Sequence, residues 1–365
     1  MDYPLTVIFR TDASLEIGTG HVMRCITLAS ALSERGASIS FLCRAHNGNL
    51  IDLIRSHGFS VHVLPLFSQS DFSEGDPLDP SHAAWLGCNW QVDVEHCRAV
   101  LNDPVDWIIV DHYAIDYRWE NAMRDKCHKM MCIDDLADRM HECDLLLDQS
   151  FGRIPFDYLN LVPAYTRMLL GPQYALLRRE FLQWRKISLA RRHSPVLRHI
   201  LVTMGGIDRD NVTERVLIAL QRCRVPTLEK ITVILGANSL WRHEVNTATR
   251  SMEVPTTVLS GVDNMAELMT SCDMAIGAGG STTWERCSLG VPTITVILAE
   301  NQKDMAFKLQ NSGATIVLSV NNYFEDNLSG ETFNMSPKKL ENMSIISRGL
   351  TEAKGVGLIC EAFGT

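Results

Sequence analysis

The sequence has no excess of positive charge: 34 Lys and Arg stand against 43 Asp and Glu, a formal net charge of −9. That balance argues against a nucleic-acid binder or a protein that coats anionic membranes, although it leaves room for an anionic substrate held by a local field. No apolar run reaches the length that spans a bilayer. The start, Met1-Asp2-Tyr3-Pro4, has neither a basic region nor a long apolar stretch, so no signal peptide is expected there. None of the 11 cysteines forms a C-x-x-C pair and their number is odd. This fits reduced thiols and a cytoplasmic protein better than a disulfide framework. No His, Cys or Asp spacing resembles a zinc site, so no metal and no cofactor is expected. There is no G-x-S-x-G, which speaks against a serine hydrolase.

What is present is an ordinary globular composition, 46% hydrophobic and 21% charged, over 365 residues, enough for two cores. The first half alternates short apolar, β-branched runs with amphipathic segments. Leu5–Arg10, Ser38–Cys43, Val61–Leu64, Trp107–Val110, Met130–Ile133 and Asp144–Asp148 are expected strands. The helix from about His21 to Gly36 carries an apolar stripe of Val22, Ile26 and Ala29, flanked by Cys25, Leu28 and Leu32. From Pro65 to about Gly87 the pattern stops, and a long loop is expected. A basic helix, Leu177 to Arg192, contains the joint between domains. The alternation then restarts with strands at His199–Thr203, Ile231–Leu235, Thr257–Leu259, Met274–Ile276 and Thr293–Val296. Two Rossmann-like, doubly wound α/β domains are therefore expected, residues 1–185 and 195–365, facing a central cleft at their carboxyl strand ends. The tail after about Asn321 is expected to form helices that brace the second domain.

Glycine turns follow several of these strands. Ile17-Gly18-Thr19-Gly20-His21-Val22-Met23-Arg24 turns from the first strand into a helix. Its free N–H groups can meet a phosphate or sugar, and His21 in the first turn can exchange a proton near neutral pH. It lacks the third glycine of a dinucleotide fingerprint and the Lys-Ser/Thr of a P-loop, and a helix cap is the alternative. Gly277-Ala278-Gly279-Gly280-Ser281-Thr282-Thr283 offers backbone N–H groups and hydroxyls to a diphosphate, with Glu285 one turn on and able to reach ribose hydroxyls. A plain capped helix is again the alternative. Met204-Gly205-Gly206 is expected at the floor of the same cleft, or as a simple helix-entry turn. Asp111, His112, Tyr113 and Asp116 stand at a strand end. Asp111 can orient an imidazole and Tyr113 can bind a sugar, while Asp116 is expected to cap the next helix. Adjacent Asp134 and Asp135 point to opposite faces and cannot share one metal.

In this order and combination, the glycine turn at 17–24, Asp111-His112-Tyr113, Met204-Gly205-Gly206, Gly277 to Glu285 and Glu300-Asn301-Gln302 resemble one family. It is the UDP-2,4-diacetamido-2,4,6-trideoxy-β-L-altropyranose hydrolases of pseudaminic acid biosynthesis. Phe9-Arg10-Thr11-Asp12 and Tyr174-Ala175-Leu176-Leu177-Arg178 also match, and the resemblance runs from about residue 5 to residue 320. It implies a GT-B fold and metal-independent removal of UDP by water, with C–O cleavage and inversion at the anomeric carbon. It further implies that His21 is the base that activates water. Gly18, Gly20, Arg24, Asp12, Tyr113, Asn301 and Gln302 would line the sugar side. Gly205, Gly206, Gly279, Gly280, Ser281, Thr282 and Glu285 would hold UDP. The expected partner is a small UDP-sugar, with no nucleic acid and no membrane, and the chain is expected to be a monomer. The rivals are a GT-B glycosyltransferase using a UDP-sugar donor, a non-catalytic nucleotide-sugar binder, and a hydrolysing UDP-sugar epimerase.

Overall fold

The computed structural model describes residues 4–66, 78–237 and 239–363. Expectations for residues 67–77, the middle of the loop from Pro65 to Gly87, lie outside the described residues. The chain divides into two compact units, Met1–Leu176 with Val356–Thr365, and Leu177–Gly355. No described helix is long and apolar enough to cross a membrane.

Among the described residues the first unit has seven strands: β1 Thr6–Thr11, β2 Ser38–Arg44, β3 Ser60–Leu64, β4 Val105–Asp111, β5 Cys127–Ile133, β6 Leu145–Asp148 and β7 Arg167–Leu170. They form one sheet in the order β3-β2-β1-β4-β5-β6-β7, with every pair parallel. Side chains alternate across its two faces. Val7 and Phe9 join Phe41, Ile109, Leu28 and Leu32 on one side, whereas Ile8 joins Leu42, Ile108 and Trp119 on the other. Burial on both faces explains why these strands read as unbroken apolar runs.

The described residues of the second unit form six: β8 His199–Thr203, β9 Lys230–Leu235, β10 Thr256–Ser260, β11 Met274–Ala278, β12 Thr293–Ile297 and β13 Thr315–Ser319. Their order is β10-β9-β8-β11-β12-β13, again all parallel. This is the 3-2-1-4-5-6 order of dinucleotide-binding sheets, which the first unit repeats with one strand added. In each sheet the winding direction reverses between the first and fourth strands, and ligands of open parallel sheets bind at the carboxyl ends beside such a reversal. In the first unit Thr11 pairs with Asp111, so the turn at 12–20 starts level with residues 112–113. In the second, Gly277 pairs with Thr203, bringing 204–206 beside 278–281.

Three expectations need correction. The basic segment forms the helix Arg179–Arg191, which lies wholly inside the second unit, so the division falls earlier, after Leu176. The tail does not stay with one domain. Phe324, Leu328, Leu340 and Met343 pack into the second core, but the last helix, Gly355–Ala362, returns to the first unit, where Ile359, Cys360 and Phe363 are buried. The second half of the expected loop has structure of its own: a 3-10 turn, Ala83–Leu86, anchors buried Leu86.

Candidate active site

The turn after β1 contains Gly18 at φ +82, a left-handed conformation that costs glycine little. It enters the helix Gly20–Ser33, whose first turn has no acidic residue and no side-chain cap. The N–H groups at this end are thus left without a side-chain acceptor. His21 follows, 7% exposed. Its Nδ1 lies 2.6 Å from Asp111 Oδ1. A carboxylate only accepts, so Nδ1 carries the proton and Nε2 keeps its lone pair. Nε2 meets no described donor or acceptor and is not sealed from solvent. Asp111, expected to orient an imidazole, therefore does so for His21.

Asp111 is in turn held by Arg24, which donates from Nε at 2.6 Å and from Nη2 at 2.7 Å. Arg24 also reaches Asp135 at 2.5 Å. Burial alone would raise the Asp111 carboxyl, but the Arg24 guanidinium and His21 override it and hold the group well below the usual carboxylate range. Arg24, expected on the sugar side, is itself buried and spends its donors on these two carboxylates. Tyr113 donates to Asp135 at 3.2 Å and packs against the edge of the His21 ring, centroids 4.5 Å apart.

Asp12, also expected to touch substrate, is completely buried. Its Oδ2 faces Arg10 Nη1 at 2.8 Å and His112 Nε2 at 3.2 Å, and its Oδ1 accepts from the Arg44 backbone at 2.6 Å. It sits beneath the surface and fixes the end of β1. Asp93, which no sequence motif flags, gathers Arg10, Arg44 and the Trp119 indole N–H around the same strand ends. Asp116 caps the next helix through the Arg118 N–H, as expected. Asp134 and Asp135 turn to different partners, Arg139 and Tyr158 for the first, Arg24 and Tyr113 for the second. Glu120, Cys132 and His141 do converge, within 4.8 Å of one another and fully buried, although no spacing announced them. Burial would depress the His141 imidazole, but Glu120 at 2.8 Å outweighs it and pushes the group up to about 10. His141 and Glu120 form a buried ion pair, and the Cys132 thiol donates to the same carboxylate at 3.1 Å.

In the second unit, Gly205 lies at φ +86 and Gly206 is exposed. Gly206 presses its carbonyl against Gly236, where any Cβ would stand 2.0 Å from that oxygen. Gly236 is a constraint that the sequence does not display. The N–H groups of Val212 and Thr213 at the start of the following helix are taken by Asp208, both at 2.8 Å, so that end is closed to an anion. The other turn is more open. Gly280 has open space where a Cβ would stand, and Ser281 is exposed with Thr282 half-buried. Gly279 lies against Gln302, whose Oε1 accepts from the Leu298 N–H at 3.1 Å, while Asn301 is exposed beside it. Glu285 is half-buried, 3.6 Å from Arg178, and burial outweighs the attraction and raises its carboxyl. Beneath the turn, buried Arg286 donates to the Ala278 carbonyl at 2.8 Å and to the Thr282 and Thr283 hydroxyls. Gly277 makes room for it, since a Cβ would lie 2.7 Å from Nη1.

The chain is similar to several known proteins. Residues 199–355 match the glycosyltransferase family 28 C-terminal domain. The chain is 26% identical over 307 residues to an uncharacterized protein of Methanocaldococcus jannaschii, covering 80% of this chain but only 56% of that protein. It is 25% identical over 312 residues to the UDP-2,4-diacetamido-2,4,6-trideoxy-β-L-altropyranose hydrolase of Campylobacter jejuni, covering 85% of this chain and 97% of that one. Among solved structures it is similar to MurG of Acinetobacter baumannii, with a TM-score of 0.69, 16% identity and 99% of each chain covered. The fold is thus that of the GT-B glycosyltransferases, two parallel sheets with interleaved helices.

Proposed function

We propose that the protein hydrolyses a UDP-linked 2,4-diacetamido-2,4,6-trideoxy sugar to the free sugar and UDP. The observation that carries this reading is the His21–Asp111 pair at the winding reversal of the first sheet, with Nε2 of His21 left accessible. Water donates its proton to Nε2 as its oxygen attacks the anomeric carbon. The bond from that carbon to the diphosphate oxygen breaks, and its electron pair leaves with UDP. Attack from the face opposite the leaving group inverts the anomeric centre. Asp111 keeps the imidazole in the tautomer that accepts a proton and stabilises the imidazolium that forms, as the carboxylate does in hydrolase triads.

The nucleotide end is assigned to the second unit. Gly280, Ser281 and Thr282 offer N–H and hydroxyl donors to the diphosphate, Gly279, whose own N–H donates to the Val296 carbonyl at 3.2 Å, lets the backbone approach closely as Gly205 and Gly206 do, and Glu285 takes the ribose hydroxyls. Asn301 and Gln302 serve the sugar side. Asp12 and Arg24 act through their neighbours, by fixing the strand end and the Asp111 carboxylate. The match of residues 199–355 and the 25% identity to a hydrolase over most of both chains support this assignment.

The second reading is transfer of the sugar to an acceptor other than water, which the fold accommodates equally. The two separate in one assay. Purified protein and UDP-2,4-diacetamido-2,4,6-trideoxy-β-L-altropyranose are incubated with no acceptor, and UDP is followed over time. Multiple turnovers per molecule of protein support hydrolysis. UDP that accrues only when an acceptor is supplied supports transfer, and none under either condition leaves a binder.

A further inference from the structure

The patternless stretch before the helix Trp90–Val100 delivers two aromatic rings to the His21 site. Tyr113 is the hub. The Trp85 ring lies 6.0 Å from it with the planes 26° apart, and the His82 ring lies 5.5 Å away. Trp85 and His82 touch each other at 4.4 Å. On the other side Tyr113 meets the His21 ring at 4.5 Å.

Several contacts hold this segment in place. Leu86 is buried, and Asp79 pairs with Arg118 at 2.9 Å. Gly87 sits at φ +75 with its Cβ direction blocked by His46 Cε1 at 2.6 Å, so the backbone can come this close only with glycine there. Yet Trp85 and His82 stay half-exposed. The Nδ1 of His82 is buried without a partner, whereas its Nε2 is neither sealed nor hydrogen-bonded among the described residues and can meet a ligand's polar group.

We propose that Trp85 and His82 form the sugar-recognising wall of the His21 site. The indole face receives the C–H-bearing face of a pyranose ring, and the His82 imidazole pairs with a hydroxyl or amide of the same sugar. The proposal rests on the reading of His21 as the base of a nucleotide-sugar reaction. The negative face of the indole attracts polarised C–H groups, and it does so more strongly as positive charge grows at the anomeric carbon. The wall therefore serves the sugar and leaves the affinity for UDP unchanged.

Calorimetric titration of the His21→Ala protein tests this, because the substrate stays intact during the measurement. UDP-2,4-diacetamido-2,4,6-trideoxy-β-L-altropyranose and UDP alone are compared, with thermal melting as the check on folding. The UDP-sugar is expected to bind more tightly than UDP. Adding Trp85→Ala is expected to weaken UDP-sugar binding roughly three- to tenfold with UDP affinity unchanged. Trp85→Phe restores most of the loss, and His82→Ala weakens only the UDP-sugar. The wall assignment is overturned if the UDP-sugar binds no better than UDP, if Trp85→Ala leaves the ratio unchanged, or if both ligands lose affinity alike. Failure of the hydrolysis reading shows separately, as absent UDP release by the wild-type protein while the affinity ratio still reports on the wall.

Discussion

Replacing Asp111 by Asn keeps the shape of the His21 site and removes its negative charge. In the wild-type protein the carboxylate accepts from His21 Nδ1 at 2.6 Å and from Arg24 at 2.6 and 2.7 Å. An amide cannot serve all three. Oδ1 accepts from both His21 and Arg24 Nη2, so an amide oxygen in that place keeps those two bonds, and the NH2 then faces the Arg24 Nε donor. The negative charge that stabilises the imidazolium is lost, and the guanidinium stands beside the base without its counter-charge. General base catalysis is worth about 10² to 10⁴. The expected loss in kcat for Asp111→Asn is therefore about 10² to 10⁴. Stability falls as well, because breaking a buried ion pair costs about 3–5 kcal/mol. The lower end applies, since Asp135 still holds Arg24 at 2.5 Å. UDP release measured by chromatography, with urea denaturation of the same preparation, separates the two effects. His21→Gln run in parallel removes turnover but leaves the Arg24–Asp111 pair. A folded Asp111→Asn protein with kcat within tenfold of wild type would refute the charge-stabilising role of Asp111.

Three further outcomes follow from named contacts. His141 is raised to about 10 in the folded chain, above its ordinary value near 6.5, so its contribution is complete below pH about 6.5 and lost as pH rises toward 10. Unfolded thiols ionise from about pH 8 upward and add a slope of their own, so the comparison is with His141→Gln: the fall in urea stability between pH 6.5 and 8.5 is expected to be about 2 kcal/mol smaller in the variant, and an equal slope contradicts the buried ion pair. Gly236→Ala places a methyl against the Gly206 carbonyl, with an expected loss of about 2 kcal/mol or more and weaker UDP binding through the displaced turn; a variant as stable as wild type shows that the turn yields freely. Glu285→Gln is expected to weaken UDP binding roughly tenfold in calorimetry without affecting the Tm by more than a few degrees, and unchanged affinity removes Glu285 from the ribose role.

Much of the fold is legible in the chain because parallel sheets buried on both faces need continuous apolar strands, and glycine turns mark their ends. His199–Thr203 is both expected and observed with the same bounds. The strands Arg167–Leu170 and Thr315–Ser319 are not assigned from sequence. The first is four residues long and begins with an exposed arginine, so it carries little pattern. The return of Gly355–Ala362 to the first unit has no local sign at all, since an apolar helix does not say which core it joins. The site divides in the same way. His21, Asp111 and Tyr113 can be picked out because each stands just after or at the end of a strand. Their linkage through Arg24 and Asp135 spans 111 residues of sequence, and the closure of one helix end by Asp208 depends on a backbone turn. Trp85 and His82 fall in a stretch with no period, where side-chain placement is set by anchors such as Gly87 and Leu86.

The most direct measurement of the central claim is NMR of the products formed from UDP-2,4-diacetamido-2,4,6-trideoxy-β-L-altropyranose in ¹⁸O-labelled water. The expected result is label on the anomeric hydroxyl of the released sugar, the opposite anomer at first appearance, and unlabelled UDP. Label in the UDP phosphate, or retention at the anomeric carbon, would contradict attack on carbon by water activated at His21.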